Sequence, residues 1–142
     1  MLKIGGFDLC CFENDTDKIT ELQRTQNWPF RWTAPEVLQH NKVSRYAFSK
    51  FCKLTFKRAS DVWSFGVLLW EMCERKLPYE GQSESQVVEG VCKQGMRLGT
   101  GTAPSGLVSL MQKCWSFEPE NRPSFPEIVV TLQTLLKEYN KK

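Results

Sequence analysis

An apolar run in the middle of the chain constrains its fold more than any other feature. The segment Ser60-Asp61-Val62-Trp63-Ser64-Phe65-Gly66-Val67-Leu68-Leu69-Trp70-Glu71-Met72 carries apolar residues on every side of a helical projection. A soluble helix with this pattern is normally buried inside a larger body, and the run is too short and too interrupted to cross a bilayer. Ser60 or Asp61 is placed as an N-cap, and Gly66 would allow close approach of another element. We therefore expect a central buried helix with the rest of the chain packed around it.

Composition and cysteine usage restrict the class of protein. The chain has 142 residues, enough for one domain, and its net charge of +3 is too small to indicate nucleic-acid or membrane binding. Its six cysteines form no Cys-x-x-Cys pair, and the single histidine, His40, lacks metal-ligand spacing to them. We expect free, mostly buried thiols rather than a disulfide framework. Because the sequence shows no signal-peptide pattern, we also expect an intracellular, cytoplasmic location.

Several helices are predicted after the central run. Ser83-x-x-Gln86 and Ser124-x-x-Glu127 have the pattern of capping boxes, each opening a helix. The segment from Gly106 to Trp115 has apolar residues at helical spacing, and so does the last helix, whose stripe comprises Phe125, Ile128, Val129, Leu132, Leu135, Leu136 and Tyr139. The glycine-rich segment 99–106 has no preceding strand and no Gly-Lys-Ser/Thr ending, so we interpret it as a connecting loop and not a phosphate-binding loop.

Four strings of sequence resemble one family. The central run is similar to the central helix of the large lobe of protein kinases, in its tyrosine-kinase form. The nine residues 28–36 end in Ala-Pro-Glu, the marker that closes the kinase activation segment. The segment 77–81 (Leu-Pro-Tyr-x-Gly) and the segment 118–125 (Glu-Pro-x-x-Arg-Pro-Ser-Phe) also follow kinase wording. The resemblance covers nearly the whole chain. It implies a mainly α fold, the C-terminal helical lobe of a kinase-like domain, incomplete because the N-lobe and catalytic loop are absent.

The resemblance also implies an internal organisation. It makes residues 1–142 a partial kinase domain, with a metal-turn strand and activation segment at 1–36 and a helical subdomain at 60–142. Residues 37–59 are longer than the family's usual connection and are expected to be an inserted loop. Residues 46–53 of this loop mix basic and aromatic side chains, as nucleic-acid or acidic-lipid sites do. The charge is modest and no binding motif accompanies it, so a solvated insertion is favoured and no nucleic-acid partner is expected.

The resemblance assigns roles to three groups of residues. Glu36 and Arg122 are expected to form a buried structural ion pair, and Asp61 and Trp63 to anchor the central helix. A docking loop is expected to seat the residue after a target tyrosine, with side chains from Pro29, Phe30, Arg31, Trp32 and Thr33. From the residues alone, Thr33-x-x-Glu36 is also a capping-box pattern, and both interpretations can hold.

The segment near the N-terminus departs from the family pattern. Residues 2–10 alternate like a short strand and resemble the kinase metal turn, Lys-Ile-x-Asp-Phe-Gly-Leu. Gly6 stands where the magnesium-binding Asp belongs, and glycine has no side-chain oxygen. Asp8 lies about 6–7 Å further along an extended backbone, which favours a solvated turn residue over a replacement metal ligand. The following segment 11–28 resembles an activation segment without tyrosine; phosphorylation of its threonines (Thr16, Thr20 and Thr25) is open, beside their role as plain loop residues.

The 142 residues lack the sequences that handle ATP in the family. They contain no Gly-rich nucleotide loop, no Val-Ala-x-Lys and no His-Arg-Asp, since His40 is followed by Asn41-Lys42. We therefore expect no catalytic residue, no metal site and no cofactor for this chain, whereas the complete family domain uses ATP and magnesium.

Two hypotheses of different class follow. In the first, the chain is the C-terminal part of a tyrosine-kinase-type enzyme whose N-terminal half is missing from these residues. In the second, it is a pseudokinase-like module that binds protein or peptide partners through the large-lobe surface, and Gly6 favours this one. Because the helices that precede the metal turn in the family are absent, one side of the 60–72 helix should lack its cover. Such a surface promotes association with itself or with partners.

Overall fold

The computed structural model describes residues 29–40 and 54–141, and this part of the chain is helical, with no strand. In chain order it contains a 3-10 turn at Phe30–Trp32, α1 (Pro35–His40), α2 (Leu54–Glu74), α3 (Glu84–Lys93), α4 (Ser105–Cys114), a second 3-10 turn at Pro119–Asn121, and α5 (Phe125–Tyr139). No helix in these ranges has the length and apolar character that a membrane crossing requires. The predicted strand, the activation segment, Gly6 and Asp8 lie outside the described residues.

Helix α2 is the centre of this arrangement. One of its sides is buried at Val62, Trp63, Val67, Leu69 and Trp70. Helix α4 packs against this side where α2 carries Gly66. An ideal Cβ at Gly66 would lie 2.7 Å from Cys114 Cβ and 2.7 Å from Trp115 Nε1, closer than real side chains approach. The predicted role of Gly66, to allow close approach of another element, is therefore confirmed.

The opposite side of α2 is open. Leu68 is 47% exposed and Met72 is 59% exposed, Asp61 is also exposed, and Phe65 is half-buried. These four positions follow helical spacing and form one stripe. Burial of the helix on all sides, expected from its apolar pattern, is therefore wrong at this stripe. The expectation that one side lacks its cover is confirmed.

The start of α2 also differs from the prediction. The helix begins at Leu54, so Ser60 and Asp61 are inside it and neither is its N-cap. The Ser60 carbonyl accepts a hydrogen bond from the Ser64 hydroxyl one turn later, which is a contact of the helix interior. Residues 37–40 and 54–59 of the predicted inserted loop are thus helical. Its middle lies outside the described residues.

Helices α3 and α5 begin at the predicted capping boxes. The Ser83 N–H donates to Gln86 Oε1 at 2.8 Å, and the Gln86 N–H donates back to Ser83 Oγ at 3.4 Å. Ser124 and Glu127 make the same reciprocal pair at 2.7 and 3.4 Å. Three residues of α3 (Val87, Val88 and Val91) and three of α4 (Leu110, Met111 and Cys114) are buried in the common core, as their spacing predicts.

The apolar stripe of α5 is only partly covered. Ile128 is buried, whereas Val129 is 51% exposed and Leu136 is 60% exposed. The rings of Phe65 and Phe125 meet edge to face with centroids 6.0 Å apart, so the open side of α2 continues onto the start of α5. The periodicity of α5 therefore predicts its apolar face correctly, but a large share of that face is at the surface.

Candidate functional site

The predicted docking loop, residues 29–33, is a compact 3-10 turn. The Trp32 N–H donates to the Pro29 carbonyl at 3.1 Å, and the Thr33 N–H donates to the Phe30 carbonyl at 3.2 Å. The Thr33 hydroxyl also donates to the Pro29 carbonyl, at 2.9 Å. The loop therefore holds its shape through its own hydrogen bonds, directly before α1.

Trp32 attaches the docking loop to α2. Its indole Nε1–H donates to the Glu71 carboxylate at 3.1 Å, and its carbonyl accepts from the Ser64 hydroxyl at 2.7 Å. Ser64 and Glu71 are seven residues apart, so they occupy neighbouring turns on one side of the helix. This explains why a loop near the beginning of the chain is held beside the central helix.

Arg31 attaches the docking loop to the turn at residues 78–82. Its Nη1 donates to the carbonyls of Pro78, at 2.7 Å, and Tyr79, and its Nη2 donates to the carbonyl of Gln82 at 3.2 Å. The guanidinium carbon lies 4.9 Å from the centre of the Phe30 ring. The sequence analysis placed Arg31 in the docking loop but missed the 78–82 turn as part of the site; the Leu-Pro-Tyr-x-Gly string was the available indication.

Tyr79 makes the 78–82 turn rigid. Its side chain is buried, its backbone is in the left-handed region with φ of 51°, and Gly81 follows with φ of 79°. Burial raises the pKa of the Tyr79 hydroxyl to about 12, with the nearby Arg97 charge opposing the rise. The phenol is therefore neutral throughout the physiological range.

Glu36 and Arg122 lie together behind the docking loop. Arg122 Nη1 donates to Glu36 Oε1 at 2.7 Å and Nη2 donates to Oε2 at 2.8 Å. Arg122 also donates to the carbonyls of Ser116, Ala59 and Phe117 at 2.9, 2.9 and 3.3 Å. Because both Glu36 oxygens face Arg122, and the Thr33 hydroxyl donates to Pro29, the capping-box interpretation of Thr33-x-x-Glu36 is wrong. A bidentate guanidinium is the stronger partner for the carboxylate.

Two guanidinium groups lie over Trp63, whose side chain is 1% exposed. The Arg122 carbon is 5.2 Å from the ring centre, and the Arg97 carbon is 4.7 Å from it. Arg97 is held there by the Trp115 and Met96 carbonyls at 3.0 and 2.8 Å. Burial lowers the pKa of Arg97, and the charge of Arg122 acts in the same direction. The sequence analysis missed Arg97, because no local pattern links it to Trp63.

Asp61, assigned with Trp63 to anchor the central helix, lies on a different side of α2. Trp63 faces the core, whereas Asp61 belongs to the open stripe. Partial burial by the surrounding helix raises the pKa of the Asp61 carboxyl. The structure thus brings Trp63 together with Arg122 and Glu36, and leaves Asp61 at the surface.

The described residues provide no site for a metal or a phosphate. Within residues 29–40 and 54–141, no group of three His, Cys, Asp or Glu side chains could hold a metal ion. The glycine-rich segment after α3 is tied to the end of α2: the Trp70 indole donates to the Gly99 carbonyl at 2.6 Å, and the Thr102 N–H donates to Glu74 at 2.9 Å. A carboxylate at this loop disfavours a bound phosphate, in agreement with its interpretation as a connection.

Comparison with known proteins places the docking loop, the ion pair and the central helix in one family. The family model described as protein tyrosine and serine/threonine kinase matches residues 1–132. The chain belongs to the protein kinase family. The kinase large-lobe fold expected from the sequence is thereby confirmed, together with its mainly helical character.

The relatives are kinases of more than one kind. The chain is 37% identical to human tyrosine-protein kinase TXK over 131 residues, which are 91% of this chain and 22% of that protein. It is 32% identical to human tyrosine-protein kinase FRK over 139 residues, 96% of this chain and 24% of that protein. It is 34% identical to rat mitogen-activated protein kinase kinase kinase 11, covering 93% of this chain and 15% of that protein. The chain therefore spans less than a quarter of the length of these kinases.

Proposed function

We propose that these 142 residues form a kinase-derived module that binds protein or peptide partners at the docking loop and does not by itself transfer phosphate. The observation that carries the proposal is the support of the docking loop. Arg31 and Trp32 bind it to the 78–82 turn and to α2 through side-chain hydrogen bonds. A preformed loop binds a peptide at a lower cost in conformational entropy than one that must order on binding.

The surface of the docking loop suits a peptide. Phe30 and Trp32 are half-buried, so each presents part of an aromatic ring beside backbone polar groups. Aromatic side chains are the usual contact residues of interfaces, because they offer a large apolar area with few rotatable bonds. Their position directly before α1 matches the part of the kinase large lobe that seats substrate peptides.

The chemistry of phosphoryl transfer is not supplied by this sequence. Transfer needs phosphate positioning, magnesium and an oriented hydroxyl together. Gly6 offers no oxygen where the family has its magnesium ligand, and the 142 residues contain no Val-Ala-x-Lys and no His-Arg-Asp. The residues present do not fit magnesium-ATP, which is the cofactor pair of the complete family domain.

The second candidate is an enzyme, in which these residues are the large-lobe part of a longer kinase. It is supported by the relatives, which are kinases four or more times as long as the matched region. Gly6 opposes it, since even a supplied nucleotide-binding half would meet a metal turn without the Asp. In this candidate, joining the N-terminal half of a related kinase would restore transfer only together with Gly6→Asp.

Peptide binding tests the docking function directly. Fluorescein-labelled degenerate peptides with a fixed central tyrosine, and a matched set with fixed serine or threonine, would be titrated with the purified chain by fluorescence anisotropy. We expect saturable binding that weakens about tenfold or more in Phe30→Ala. Val130→Ala, an exposed site on α5, serves as the control and should bind as the wild type does. Absence of saturable binding to either set, with the chain folded by circular dichroism, would contradict the docking function.

A further inference from the structure

We propose that Arg31 is a positioning residue that keeps the docking loop ordered without a phosphate on the activation segment. The significance of this order for partner binding rests on the proposed docking function; the order itself does not. Kinases commonly order this region through a phosphorylated residue that pairs with arginine. In this chain the arginine of the loop is already occupied by backbone carbonyls, so the ordering group is part of the unmodified protein.

The geometry at Arg31 is that of a fixed guanidinium fork. Both terminal nitrogens donate to carbonyl oxygens of the 78–82 turn, and the plane of the group lies beside the Phe30 ring. A guanidinium carries its donors in one rigid plane and stays charged at every accessible pH. It can therefore satisfy several carbonyls at once. A side chain so engaged is poorly placed to pair with a phosphate or with an acidic residue of a peptide.

The target of Arg31 is itself immobile. Pro78 and Tyr79 are buried, and the Gln82 N–H donates to the Tyr79 carbonyl at 3.1 Å. The carbonyls that face Arg31 point inward as the chain reverses direction before α3. Without the guanidinium they would lose their donors in a partly buried site, which is costly. Arg31 and the turn thus order each other.

Trp32 provides a second and separate attachment of the same loop. Its contacts reach Glu71 and Ser64 on α2, not the turn. Loss of the Trp32 attachment should therefore loosen the docking loop and leave the 78–82 turn in place. Loss of Arg31 should loosen both. This difference gives each attachment its own experimental signature.

Hydrogen exchange followed by mass spectrometry tests the proposal. The full 142-residue chain would be produced without kinases, and the absence of phosphate confirmed by intact mass. We expect the wild type to protect the amides of the docking loop and of the 78–82 turn. Arg31→Ala should speed exchange in both segments by about tenfold or more, since two or more charged hydrogen bonds are lost. Helices α4 and α5 should be unchanged, Arg31→Lys should fall between, and Arg75→Ala, an exposed arginine, should match the wild type.

Trp32→Phe keeps the proposal testable if Arg31→Ala is poorly folded. This variant removes the indole N–H and keeps an aromatic ring, so exchange should rise in the docking loop alone. The proposal is overturned if the unphosphorylated wild type exchanges its docking loop without protection, or if Arg31→Ala equals the wild type. It is also overturned if Arg31→Ala exchanges faster in every helix, because Arg31 would then support the whole fold. Since no partner is present, these results are independent of whether the docking function holds.

Discussion

Arg122 and Glu36, separated by 86 positions in the sequence, form a bidentate ion pair with N–O distances of 2.7 and 2.8 Å. The charged end of Arg122 is fully buried and that of Glu36 is 13% exposed. The pair joins α1, which follows the docking loop, to the segment that opens α5. It therefore fixes the two ends of the described region to each other and to the buried Trp63 ring.

Loss of one member of this pair should be strongly destabilising. We expect Glu36→Gln to lower the free energy of unfolding by about 3–5 kcal/mol, because the Arg122 charge is left buried without its counterion. Arg122→Leu should cost at least as much, since three backbone carbonyls also lose a donor. Urea unfolding followed by circular dichroism measures both values. Glu120→Gln, an exposed neutralisation nearby, is the control and should stay within about 0.5 kcal/mol of the wild type. A Glu36→Gln variant as stable as this control would show that the pair is not needed.

Gly66→Ala tests the close approach of α2 and α4. Alanine is intrinsically the better helix former by about 1 kcal/mol. Its methyl group would nevertheless collide with Cys114 and Trp115 at 2.7 Å, so we expect a net loss of about 1–3 kcal/mol. Gly101→Ala, where an added Cβ meets nothing within 4 Å, is the matched control. A Gly66→Ala variant that melts higher than the wild type would contradict the packing described here.

Alkaline pH should weaken the fold through Cys114. Burial raises the pKa of this thiol from 9.0 to about 11, so the unfolded chain ionises before the folded one. The stability that the neutral thiol contributes is full below pH 9 and is lost as pH rises toward 11, by about 2–3 kcal/mol. Urea unfolding at pH 7, 9 and 10.5 should therefore give a smaller loss in Cys114→Ala than in the wild type. Equal losses in the two proteins would mean that Cys114 does not carry this dependence.

The open stripe of α2 should make the chain associate. Leu68 and Met72 expose apolar area that continues onto α5 through the contact of Phe65 with Phe125. We expect the wild type to show concentration-dependent light scattering, and the double variant Leu68→Gln, Met72→Gln to reduce it with little change in melting temperature. Leu77→Gln, which removes an equally exposed leucine outside the stripe, should leave the scattering unchanged. A monomeric wild type with a sharp two-state melt would count against this prediction.

Local patterns predicted more of the fold than long-range ones did. The capping boxes at Ser83 and Ser124 were predictable because each needs only a partner three residues away. The start of α2 was not, since residues 54–59 are helix-compatible but fell in a segment that the family resemblance treats as an insertion. The periodicity of α5 showed which side chains share a face, yet it cannot tell what covers that face. Val129 is apolar, in register and exposed for this reason.

The candidate site divides in the same way. The family resemblance indicated Glu36, Arg122 and the docking loop by their place in motifs. It could not indicate that Arg31 binds the 78–82 turn, because its acceptors are backbone carbonyls 47 to 51 residues away, which carry no side-chain signature. Arg97 over Trp63 was missed for the same reason. Contacts of this kind become visible only once helices have been packed.

The central claim is that this chain keeps the docking core of a kinase large lobe without the means to transfer phosphate. The most direct test is the transfer of labelled phosphate from magnesium-ATP to a poly-Glu-Tyr substrate by the purified 142-residue chain, with Trp63→Ala as the baseline. We predict no incorporation above that baseline. Incorporation well above it, by a preparation free of other kinases, would contradict the account.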